Sequence, residues 1–253
     1  MTPATDLTRA ELAVLLDEVR ASVGRLAATV GNLTDRQAGE PSALPGWSRA
    51  HVITHLARGA DAYRWLLALA RTGAEPGPRA DAAALDRALR EGAERGAAAL
   101  AEDLRVSLDG LFEEAAAVPA ERWATLVPAL AGWRHPAWFT LHRAWREVET
   151  HHVDLDLDLD LGRGTAGWPA GYVAWALDAT AATLAARGFP VARLEATDLG
   201  RSWSLGEAGP VVRGPGHVLL AWLAGRGPAP RTGTGEPLPA PPVWPLPPVP
   251  GWG

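Results

Sequence analysis

Among its 253 residues the chain has no cysteine, and every basic residue other than histidine is an arginine. Without cysteine there is no disulfide, no thiolate metal ligand and no cysteine nucleophile, so any thiol chemistry must import its thiol. No run approaches the eighteen apolar residues that a membrane-spanning helix needs, and the opening MTPATDLTRAELA lacks the apolar core of a secretory signal. Both absences point to the cytoplasm. No basic stretch stands out, and a formal charge of −5 with a pI near 5.8 gives no reason to expect nucleic acid or an anionic membrane as a partner. Small molecules are the expected partners. No repeat of solenoid period is visible.

What is present is patterned for helices. Hydrophobic residues make up 47% of the chain, enough for a substantial core. Thr8 and Glu11 have capping-box spacing and precede Leu12, Leu15, Leu16, Val19, Val23, Leu26 and Val30 at helical intervals. After a loop from Gly39 to Gly46, Ser48 can cap a second helix, with Trp47 and Val52 at the positions of a hydrophobic staple. The pattern Leu85, Leu89, Ala93, Ala97, Leu100, Leu104, Leu108, Leu111 reads as one long third helix. A fourth follows Pro136, its apolar stripe running through Leu141, Ala144, Trp145, Val148, His152 and Leu155. Four long helices with moderate loops predict a mainly α protein that begins with an antiparallel four-helix bundle over residues 1–161.

The tract DLDLDLDLG from Asp154 alternates strictly but reads best as a helix end plus linker; it lacks the glycine and terminal glutamate of a calcium-binding EF-hand loop. Beyond it, residues 162–230 predict a small α+β domain. A helix spans Pro169 to Arg187, VARLEATDL, RSWSLG and PVVRG are short strands, and GHVLLAWLAGR is a closing helix. Residues 231–253 form a proline-rich tail that must be extended, with Trp244 and Trp252 as anchors.

The chemistry lies in two segments far apart in sequence. In AWREVETHHVDLD, Glu147 and His151 are four residues apart, one above the other on a helix. In GWSRAHVITHLARGAD, His55 would complete a His/His/Glu set, the composition of zinc sites that leave a fourth position to water or substrate. His51, one turn before His55, is an alternative ligand, although its place in the first turn of its helix suits a structural role. His152 is the main rival to His151. Asp154 can orient a ligand histidine or be an ordinary helix-end carboxylate, and His135, His142 and His217 lack a partner at ligand spacing.

GWSRAHVITHLAR, REVETHHVDL, GPGHVLLAWLAGR and the proline/tryptophan tail, in that order, resemble the mycothiol-dependent maleylpyruvate isomerases of the DinB-like superfamily. The resemblance implies a four-helix metal-binding domain followed by an α/β domain, with a divalent metal, usually zinc, on His55, Glu147 and His151 and mycothiol as the thiol cofactor. It further implies an isomerase in which a thiolate adds to a cis double bond, the resulting single bond rotates, and elimination returns the trans alkene. A dianionic keto acid needs cationic anchors. Arg226, in the segment AWLAGR, is the candidate catalytic cation, with a helix-terminal role as its alternative; Arg58 and Arg143 are further candidates on the bundle. The chain departs from the family in having Gly59 where asparagine is common, EPGPRAD where a Met-Tyr motif is common, and the long Asp/Leu repeat. A mycothiol S-transferase using the same site, and a metal- or small-molecule-binding module without turnover, are the other readings of these residues.

Overall fold

The computed structural model describes residues 7–155, 164–230 and 237–248. Apart from a few terminal residues the chain divides into two compact units, Ala4–Gly162 and Arg163–Gly251.

The larger unit is built on four long helices. Helix α1 (Arg9–Gly31) starts as its capping box predicts: the Thr8 hydroxyl accepts from the Glu11 N–H at 3.2 Å while the Glu11 carboxylate accepts from the Thr8 N–H at 2.8 Å. Its buried stripe is Leu15, Val19, Leu26 and Val30. A short helix α2 (Asp35–Gly39) repeats the device with Thr34 and Gln37. Helix α3 (Arg49–Thr72) uses an imidazole for the same purpose, His51 Nδ1 accepting from the Ser48 N–H at 3.2 Å. It stops at Gly73, whose φ of 75° is the left-handed conformation that glycine adopts without a steric penalty.

The long third helix read from the sequence is two helices, α4 (Ala82–Ala93) and α5 (Ala97–Ala117). Periodicity continues across the break, but tertiary contacts end the first helix and start the second. A Cβ on Gly92 would lie 2.3 Å from Thr54 Cγ2, so α4 meets α3 at a point where only glycine fits. The first N–H of α5, on Ala97, donates to Asp35 Oδ1 at 2.7 Å, a cap supplied by α2 from 62 residues away. After α5 an unanticipated two-stranded antiparallel ribbon forms, β1 (Leu126–Pro128) with β2 (Arg134–Pro136), and leads into α6 (Phe139–Asp154).

Helix α1 packs on α5 and α6, and α3 on the same two, which closes the predicted bundle. Its interior includes Ile53, Leu66, Leu67, Leu100, Leu104, Leu111 and Leu141, all but sealed from water. Burial of each such side chain contributes about 1.5–3 kcal/mol. One buried cation holds the end of α6 to the start of α3: Arg49 Nε donates to Leu155 O at 2.8 Å, and its Nη1 reaches Gln37 O and Glu40 Oε2, both at 2.9 Å. The Ala43 N–H donates to Asp154 O at 2.9 Å, pinning the preceding loop to the same helix end.

The smaller unit has helix α7 (Ala170–Ala186), strands β3 (Arg193–Ala196), β4 (Arg201–Ser204) and β5 (Val211–Gly214), and helix α8 (Gly216–Leu223). The strand order is β4-β3-β5, with β3 antiparallel to β4 and parallel to β5. Leu194 and Val212 point to the buried side, against a core that includes Tyr172, Leu177 and Trp222. The mainly α architecture with a small β-containing second part is the one the sequence predicts. Most of the Asp/Leu tract, residues 156–161, lies outside the described residues, so the linker reading of that stretch does too; Asp154 ends α6 and Leu155 caps it.

Candidate metal centre

Helices α3 and α6 bring His55, Glu147 and His151 together. His55 Nε2 lies 3.2 Å and His151 Nε2 3.3 Å from the same carboxylate oxygen, Glu147 Oε2, and one ligand atom from each residue falls within 4.8 Å of the others. Tetrahedral zinc with bonds near 2.0–2.1 Å holds its ligands about 3.3 Å apart, and the two His–Glu separations are of that size. Among the described residues this is the one group of three or more His, Asp or Glu side chains with that convergence. The trio is partly open, with side-chain exposures of 39% for His55, 25% for Glu147 and 13% for His151, which leaves an approach for a further ligand.

The groups behind the trio hold it in place. Asp154, 1% exposed, accepts from His151 Nδ1–H at 2.9 Å. That bond orients the ring so that Nε2 faces Glu147, the carboxylate–histidine arrangement found behind metal-bound imidazoles. Burial disfavours charge on His151, but its bonds to Asp154 and Glu147 override that and lift the imidazole to about 9. Burial likewise works against the Glu147 carboxylate, yet hydrogen bonds from His151 and His55 hold it well below the usual carboxylate range. The carboxylate is thus held as an anion between two imidazoles. The Trp47 ring stands edge-on to His55, 5.5 Å between centroids, and fixes the ring's pose.

A family model described as the mycothiol maleylpyruvate isomerase N-terminal domain matches residues 19–156, more than half the chain and the whole of the segment that carries these three side chains. The chain belongs to this family. Two solved structures extend the likeness over nearly the full length: a crystal structure of the mycothiol-dependent maleylpyruvate isomerase and one of a histidine-to-alanine mutant of it. Each is 26% identical, with a TM-score of 0.80, covering 96% of this chain and 99% of that one. Comparison with curated proteins gives no match.

Within this family member the remaining candidates separate by their surroundings. His51 is occupied by its capping role at Ser48. His152 turns toward α1, its Nε2 2.8 Å from Thr29 Oγ1, and is held neutral by burial and by the charge of Arg25. Arg58 is committed to Asp103 at 2.7 Å and Asp61 at 3.3 Å. Arg226, in the smaller unit, donates from Nη1 to Ala224 O at 2.9 Å and from its backbone N–H to Ala221 O at 2.8 Å, the contacts of a helix-terminal arginine. Arg143 has a different setting. Its guanidinium lies over the rings of Tyr63 and Trp133, at 5.0 and 5.2 Å, and donates to His135 Nε2 at 3.0 Å. No helical spacing links His135 to Arg143, because it arrives from the unanticipated β ribbon.

Proposed function

We propose that the chain is a metal- and thiol-dependent cis–trans isomerase acting on maleylpyruvate or a close relative of it, with mycothiol as the thiol and zinc as the metal. The observation that carries this reading is the convergence of His55, Glu147 and His151 with Asp154 behind His151. A divalent cation held there by three protein ligands would supply a Lewis acid able to keep a thiol in its thiolate form at neutral pH. The chain's own part is to aim Nε2 of both histidines at Glu147, where a bound cation would take the place of the imidazole proton, to hold Glu147 as an anion, and to keep one side of the trio accessible. The lack of cysteine is consistent with a thiol that arrives as a cofactor, and the solved isomerase named for its mycothiol dependence supports the same assignment. Arg226 is proposed, on the resemblance of AWLAGR, as a cation that meets a substrate carboxylate.

The test is direct. The purified protein, analysed for metal and supplied with mycothiol and maleylpyruvate, should form fumarylpyruvate catalytically, and omission of the thiol or removal of the metal should abolish the product. A protein that purifies without metal and ignores the thiol would sink the reading. Failure to form fumarylpyruvate, together with a stable thiol adduct of another electrophile, would make it an S-transferase instead.

A further inference from the structure

Helices α3 and α6 face each other through two ladders of residues at four-residue spacing: His55, Gly59 and Tyr63 on one, Arg143, Glu147 and His151 on the other. The first rung is His55 with His151, which Glu147 on the next rung joins in the proposed metal-binding set. The last is Tyr63 with Arg143. Between them α3 carries Gly59, and a Cβ built there would meet nothing within 4 Å, so the middle rung leaves room beside the proposed metal. A glycine inside a helix costs about 1 kcal/mol relative to alanine, so intrinsic helix propensity does not favour it here.

Arg143 is held in place without being neutralised. His135, fully buried, has its Nδ1 2.9 Å from Pro136 O, which makes that nitrogen the donor and leaves Nε2 to accept from Arg143. Burial, and then the nearby charges of Arg143 and Arg79, push this imidazole down to about 4, so it stays neutral. The guanidinium also lies over the faces of Tyr63 and Trp133, and the Tyr63 side chain interacts with it through its polar end as well. Among the described residues no carboxylate lies within ion-pair distance of Arg143, in a chain whose acids outnumber its bases 29 to 24. Arg79 adds to the same field. It stacks on Trp65 at 5.1 Å, donates to Pro128 O at 2.9 Å, and has a buried Nε with no hydrogen-bond partner. Arg143 acts on it electrostatically, and Glu75 does so only from beyond ion-pair range. A guanidinium has five N–H donors in a planar fork that matches a carboxylate, and the bond to His135 uses one of them.

We propose that Arg143 binds a carboxylate of the substrate in the space left by Gly59, with Arg79 reinforcing the positive potential. Resting on the isomerase reading, this makes Arg143 a substrate-binding residue one helical turn, about 5.4 Å, from Glu147, a span that a small dicarboxylate covers.

The test uses full-length, zinc-loaded protein and two readouts: steady-state kinetics with maleylpyruvate, and calorimetric binding of maleate, which needs no turnover. Arg143→Gln should raise both KM and the maleate Kd at least tenfold, with zinc content unchanged and kcat altered less than KM. Arg143→Lys should recover part of the loss. Gly59→Leu, which fills the space and improves helix propensity, should weaken maleate binding at least fivefold without lowering the melting temperature. Wild-type KM and Kd in Arg143→Gln would overturn the proposal. Should that variant fail to fold, unchanged maleate affinity in both Arg143→Lys and Gly59→Leu would overturn it. Maleate binding that depends on Arg143, in a protein that forms no fumarylpyruvate, leaves this site standing and removes the isomerase. Isomerisation with an unaltered KM in Arg143→Gln does the reverse.

Discussion

Helix α6 carries two carboxylate–imidazole sets only one or two residues out of phase, and they have opposite fates. Glu147 and His151 face α3; Glu149 and His152 face α1. Glu149 is 4% exposed and closed off by protein: Arg25 Nη2 donates to it at 2.6 Å and also to Ser22 Oγ at 2.8 Å, while Trp145 Nε1 donates to that same serine at 2.8 Å. Burial pushes the Glu149 carboxyl up, and Ser22 and Arg25 only partly offset it. Glu147 is more open, is pulled down by two imidazoles, and among the described residues has no arginine in ion-pair contact. Residue type is therefore a poor guide to a site. What separates the two sets is whether the opposing helix supplies a cation, as α1 does, or a second imidazole, as α3 does.

The widest gap between the two faces should appear on deleting one histidine from each. His55→Ala should lose the metal and drop isomerase activity to background, whereas His152→Ala should keep full metal content and most of the activity. Elemental analysis beside a rate measurement decides it, and full zinc occupancy in the first variant would mean that the ligands are assigned to the wrong face.

Asp154→Asn asks how much of the α3-facing set depends on its support. The substitution keeps the shape but removes the acceptor charge that holds His151 Nδ1–H, and losses of such partners typically cost 10–100-fold in metal affinity or activity. A competitive chelator titration should show a fall in that range, with the apo-protein still folded. An affinity equal to wild type would make Asp154 an ordinary helix-end carboxylate, like the acids of the α1-facing side.

The convergence of His55, Glu147 and His151 was legible because its parts are local: Glu147 and His151 are a helical turn apart, and His55 sits behind a readable cap. The same logic found α1, α3, α6 and all three strands of the smaller unit. It failed where distant residues decide. Leu85 to Leu111 keeps helical period through the break at Gly96, and only Asp35 on α2, together with the tight contact of Gly92 with Thr54, shows why the helix must restart. Arg49 gave no signal in the sequence, yet it joins the end of α6 to the start of α3 and so brings His151 to His55. The surroundings of Arg143 were hidden for the same reason, since His135 and Trp133 come from a ribbon whose short strands, rich in proline, lack alternation long enough to read.

A third imidazole on α6 isolates burial from carboxylate pairing. His142 is buried among the rings of Trp138, Phe139 and Trp145, with centroids 5.7, 6.0 and 6.4 Å away. Burial, then the charge of Arg146, lowers it to about 3. In the unfolded chain a histidine titrates near 6.5, so below that pH the unfolded state takes up a proton that the folded state refuses until about 3. The stability that neutral His142 contributes is complete above pH 6.5 and is lost as pH falls through this window. At pH 5 the loss amounts to about 2 kcal/mol. Buried His135 adds a slope of the same sign, so the decisive quantity is a difference. Between pH 7 and pH 5, denaturant unfolding of His142→Gln should show a stability loss about 2 kcal/mol smaller than that of wild type. Equal losses would mean that His142 is protonated inside the fold, and that proximity to aromatic rings alone does not keep an α6 imidazole neutral.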